Sequence, residues 1–181
     1  MKKLNVVLFF ILILLFFQTG EVIATDVTDT MAVHMSVDSM ATLNVNPGTD
    51  ITLTVSAPAI AGDTPADIIN DVNYLQYTAT VTTSGTKKIT TQLSAAVLTG
   101  CSLKLQATVG SGSNEGTSAG QVTLSNESAS NIITGIKTCA TGTGSTDGAK
   151  LIYTLTVDTM TSLVVEEEKH LNVTFTLTDV S

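Results

Sequence analysis

Two thiols, Cys101 and Cys139, two imidazoles, His34 and His170, and the carboxylate run Glu166, Glu167 and Glu168 are the side chains of this 181-residue chain best placed by type to do chemistry. A thiol acts as nucleophile or metal ligand when a base or further ligands sit beside it. Neither Cys has a His or a second Cys at ligand spacing. The remaining chemistry for an even pair in an oxidising compartment is a disulfide, here closing a loop of 38 positions and worth about 4 kcal/mol on the loop-entropy argument. His34 and His170 each fall on the polar side of an alternating pattern, which places them at the surface. There is no His-x-x-x-His and no Gly-x-Ser-x-Gly, so the usual zinc and nucleophile signatures are missing. The Gly-rich stretches from Gly110 to Gly120 and from Thr141 to Gly148 lack the Lys and following helix of a phosphate-binding loop. No catalytic residue and no cofactor are expected, and the chain is not read as an enzyme. Glu166, Glu167 and Glu168, with Asp147, Asp158 or Asp50, are the candidate oxygen ligands for calcium. The ordinary reading of such a run is a solvated turn, and no Asp-x-Asp-x-Asp-Gly loop is present.

Whether the thiols meet an oxidising compartment depends on the N-terminus. Lys2 and Lys3 precede a run from Leu4 to Phe17 that is apolar except for Asn5, and Val22, Ile23 and Ala24 offer a small-x-small cleavage site. That is the layout of a signal peptide over residues 1–24, too short to span a bilayer as a helix. The expected destination is secreted, extracellular or at the cell surface, with periplasmic transit if the host is Gram-negative. No membrane insertion is expected after cleavage. The chain carries 8 basic against 16 acidic residues, for a net charge of −8. Every basic residue is Lys. Nucleic-acid binding needs a concentrated cationic footprint to displace phosphate counterions, and this composition does not supply one. With no Trp and three Tyr, a face for stacking on sugar rings is poorly provided, the more so because Tyr77 and Tyr153 follow the inward parity.

The elements that must position these groups are strands. Leu75, Tyr77, Ala79 and Val81 alternate with polar residues, as do Ile89, Thr91 and Leu93, and these two runs read as a hairpin about Ser84 and Gly85. Cys101, Leu103, Leu105, Ala107 and Val109 give the cleanest half-buried strand. Val122 with Leu124, then Ile132, Ile133 and Ile136, begin shorter ones. Leu151, Tyr153, Leu155 and Val157, and finally Leu171, Val173, Phe175 and Leu177, alternate with Thr and Asn. Asn46 to Asp50 form a turn leading to Ile51, Leu53 and Val55, as a hairpin or a sheet-switching corner. Pro65 to Asn70 has room for a short helical turn. The sum is an all-β chain: an immunoglobulin-like antiparallel β-sandwich of about nine short strands over residues 38–181, with a jelly roll or small barrel as the alternative.

Residues 25–37 stand apart as an N-terminal strand or extension. Met31, Val33, Met35 and Val37 alternate for longer than a first strand requires, which makes them a candidate donor strand able to complete a neighbour's sheet through main-chain hydrogen bonds. The competing reading keeps residues 31–45 as the first strand or two of their own sandwich.

The leader together with "LNVNPGTDITLTV" at Leu43 to Val55, "LIYTLTV" at Leu151 to Val157 and "LNVTFTLTD" at Leu171 to Asp179 resembles small secreted β-sandwich proteins of bacterial surfaces. In particular the chain is similar to subunits of extracellular fibres and pili assembled through immunoglobulin-like domains. Many chaperone-assembled pilins place a disulfide near the first strands, whereas both Cys here lie in the second half. The resemblance implies a structural or adhesive subunit that associates with itself or with other fibre subunits, and it transfers no site residues. The alternative expectation is a monomeric extracellular binding module, calcium-dependent if the Glu run is used, with contacts on the two Gly-rich loops.

Overall fold

The computed structural model describes residues 31–112, 114–166 and 168–180. The leader expected over residues 1–24 lies outside the described residues, as do residues 25–30 and Glu167. The chain divides into two units, Met1–Ser36 and Val37–Ser181.

The ten strands of the described residues lie in the second unit. They are β1 (Ala41–Asn46), β2 (Ile68–Ala79), β3 (Lys87–Leu93), β4 (Cys101–Thr108), β5 (Thr117–Ser118), β6 (Gln121–Thr123), β7 (Ser130–Ile136), β8 (Cys139–Ala140), β9 (Ala149–Val157) and β10 (Val173–Asp179). One sheet has the order β1-β2-β9-β4-β6, with β8 also pairing β2, and the other has the order β10-β3-β7-β5. Every pairing is antiparallel. The protein is all-β, with two antiparallel sheets as in a β-sandwich.

Side-chain alternation explains why these segments become strands. Successive residues of a strand point to opposite faces, so an apolar row at every second position commits one face to a core. β3 alternates buried and half-buried along its whole length, with Ile89, Thr91 and Leu93 turned inward and Lys88, Thr90 and Gln92 outward. Leu75, Leu105, Ile133 and Leu151 are fully buried at the centre. At Ile132 and Ile133 the alternation fails, since both side chains are buried. There the register of β3 against β7 slips between Ile89 and Thr90, leaving Ile132 as an extra residue, and such a bulge lets neighbours share a face.

The expected hairpin about Ser84 and Gly85 is corrected. β2 and β3 lie in different sheets, so the turn carries the chain from one layer to the other. Among the described residues, the consecutive strands that are hydrogen-bonded neighbours are β1 and β2. A Ser-Gly turn reverses the chain without specifying which edge it joins next, because pairing partners are distant in sequence. The helical turn considered over Pro65 to Asn70 is also corrected, since β2 begins at Ile68. Among the described residues the helical element is the 3-10 turn Met160–Ser162. Ile51, Leu53 and Val55 pack against the core, yet this extended stretch joins no ladder.

Candidate assembly site

The backbone pairing of β1 begins just before the strand. The Met40 N–H donates to Thr80 Oγ1 at 2.6 Å, and the Thr80 N–H donates to the Met40 carbonyl at 3.0 Å. Upstream of this point the alternation continues but the ladder does not. Residues 31–40 have no regular secondary structure and every side chain among them is exposed. Met31, Val33, Met35 and Val37 are 86%, 66%, 89% and 81% exposed. An apolar row at every second position is the pattern of a strand with one face in a core, and here that face has none. His34, between Val33 and Met35, is exposed as the alternation requires.

The two sheets end in edge strands of unequal length. An edge strand presents unpaired N–H and C=O groups, and proteins blunt such edges by keeping them short. β6 and β5, which close one edge of each sheet, are three and two residues long. β1 and β10, the opposite edges, are six and seven. Their inward side chains Leu43, Val45, Val173, Phe175 and Leu177 are only half-buried although packed against the core. Interior strands bury the equivalent positions completely, as at Leu75 and Leu105. Sequence alternation could not single out β10 as an edge, because its pattern matches that of an interior strand.

The two thiols are free, and the expected intramolecular disulfide is corrected. Cys101 stands opposite Val157 on β9, whereas Cys139 stands opposite Ala79 on β2, four residues past the level of Ala149. About twelve residue rises separate them along the sheet, on the order of 40 Å, against the roughly 7 Å between Cα atoms that a disulfide tolerates. Burial raises the pKa of both thiols, reinforced by Asp158 and Glu166 at Cys101 and by Glu115 at Cys139. Both are therefore poor nucleophiles.

Glu166 and Glu168 are exposed, and Glu167 lies outside the described residues. Among the described residues no group of three or more His, Cys, Asp or Glu converges as a metal site. Asp147 instead accepts the Gly144 N–H at 2.7 Å within its own Gly-rich loop. His170 is exposed on the approach to β10. Tyr77 and Tyr153 are buried rather than displayed to a sugar. Burial pushes the Tyr153 phenol up to about 12 and raises that of Tyr77, whose hydroxyl donates to the Glu115 carbonyl at 2.6 Å. An open groove of about 260 Å³ runs over β1 and β2, lined by Thr42, Leu43, Asn44, Gln76 and Thr143 among others. It is smaller than ordinary small-molecule sites.

The sequence reading missed one polar feature, the Lys87–Asp179 pair. Lys87 is buried and its Nζ lies 2.6 Å from Asp179 Oδ1. Its inward parity with Ile89 was the available signal. Comparisons with family models, curated proteins and solved structures find no match to this chain.

Proposed function

We propose that this protein is an exported structural subunit of an extracellular fibre or pilus-like assembly, built by β-strand addition with residues 31–37 as the donor strand. The observation that carries this reading is the exposed alternating row Met31, Val33, Met35 and Val37. Leaving such a row in water is unfavourable, and covering it as an added strand gains both apolar burial and main-chain hydrogen bonds. A head-to-tail addition of this kind is an open assembly, since each subunit offers a donor and keeps an acceptor free. The immunoglobulin-like description belongs to this proposal in its broad sense of two facing antiparallel sheets. The frequent passage of successive strands between sheets favours the wrapping of a jelly roll.

The test is self-association of the secreted protein, followed by size-exclusion chromatography and negative-stain electron microscopy. The native chain is expected to give a concentration-dependent ladder or filaments. Val33→Asp with Val37→Asp places two carboxylates on the docking face and should leave a folded monomer. Filaments formed by that double variant would refute the donor role.

A further inference from the structure

The hydrogen-bond phase of β10 assigns an acceptor. The Ser94 N–H donates to the Asn172 carbonyl at 2.9 Å, and the Val180 N–H donates to the Thr86 carbonyl at 2.9 Å. Both pairs fall on the same register as the β10–β3 ladder. In an antiparallel pair the residues bonded to the partner alternate with residues whose N–H and C=O point away. Thr174, Thr176 and Thr178 therefore bond to β3, and Val173, Phe175, Leu177 and Asp179 direct their main-chain groups to the open edge. Among the described residues nothing bonds to those groups. Of these, Val173, Phe175 and Leu177 carry inward side chains half-buried against the core.

We propose that this edge, Val173–Asp179, is the surface that receives residues 31–37 of a second copy of the chain. The inference rests on the donor role given to that segment. The two stretches are each seven residues long and have the same period. Seating Met31, Val33, Met35 and Val37 on the core side extends the row of Val173, Phe175 and Leu177. Ala32, His34 and Ser36 then fall on the outer face with Thr174 and Thr176. The added strand satisfies four N–H and four C=O groups and covers an exposed part of Phe175. The competing edge, β1, turns outward the main-chain groups of Ala41, Leu43 and Val45, by the same alternation from the Thr80–Met40 bond. Its apolar row is smaller, with Ala41 in place of an aromatic residue.

Directed cross-linking separates the possibilities. In a Cys101→Ser, Cys139→Ser background, protein carrying Val33→Cys or Met35→Cys is mixed under mild oxidation with protein carrying Phe175→Cys, and separately with protein carrying Leu43→Cys. A covalent dimer with Phe175→Cys and none with Leu43→Cys is expected. Leu177→Cys repeats the test if Phe175→Cys loses the β-sheet circular dichroism. A dimer with Leu43→Cys alone would overturn the β10 assignment while keeping strand addition. Assembly in chromatography without a cross-link to either edge would do the same. A protein that stays monomeric at every concentration would overturn strand addition itself. Val173→Pro gives an independent reading, because it deletes one outward N–H and no bond to β3. It should weaken assembly on the order of tenfold, the effect of one lost hydrogen bond, and an unchanged assembly midpoint would overturn the assignment.

Discussion

Lys87 is the residue at which sheet geometry and electrostatics meet. Its place on β3 turns the side chain into the sandwich, where it is 4% exposed, while its partner Asp179 is 77% exposed. The ammonium bears most of the desolvation and the carboxylate stays hydrated. Removing the carboxylate leaves a buried cation without its acceptor, so Asp179→Ala should cost about 2 kcal/mol. Lys87→Met removes the charge together with its burial cost and should be close to neutral. Urea unfolding midpoints of the two variants check this, and equal midpoints would mean that the pair does not constrain the ammonium. Such parity was readable from the sequence, since Lys87, Ile89, Thr91 and Leu93 share one face. The fate of the thiols was not readable. Cysteine counting gave a pair and a loop length, but a separation of 38 positions is compatible with neighbouring strands or with opposite ends of a sheet.

At the scale of elements, the turn before β9 depends on one backbone conformation. Gly148 has φ +96°, and a Cβ there would run into the Leu75 carbonyl at the point where β9 begins its pairing with β2. Gly120 has φ +82° but open space around the missing Cβ. Gly120→Ala should therefore cost about 1 kcal/mol, from the left-handed conformation alone. Gly148→Ala adds displacement of a strand backbone and should cost at least about 2 kcal/mol. Thermal unfolding of both variants measures the difference, and equal losses would show that β2 and β9 shift apart freely. The two strands that meet at Gly148 were legible because alternation is local: Leu75, Tyr77 and Ala79 of β2 and Leu151, Tyr153 and Leu155 of β9 point inward as their spacing requires. Their pairing was not legible, because β2 meets β9 across some seventy intervening residues that carry no record of the contact.

For the whole molecule, the two flanks of the sandwich differ. One flank ends in the short strands β5 and β6, which offer little to pair with, and the other ends in the long edges β1 and β10. In the proposed assembly, an acidic chain of net charge −8 meets like-charge repulsion between its copies, which acts over the screening length of the solution. The proposed contact itself is made of apolar side chains and main-chain groups: the donor row Met31 to Val37 contains no carboxylate, and His34 is its one titratable side chain. Salt therefore screens the repulsion while leaving the attraction largely intact. Raising ionic strength from about 0.01 M to about 0.15 M shortens the screening length from roughly 30 Å to roughly 8 Å, and assembly should strengthen over that interval. Sedimentation or light scattering of the protein across a sodium chloride series reads the effect directly. Dissociation by salt would mean that ion pairs hold the subunits, and Asp179 is the one carboxylate on the β10 edge that could supply one.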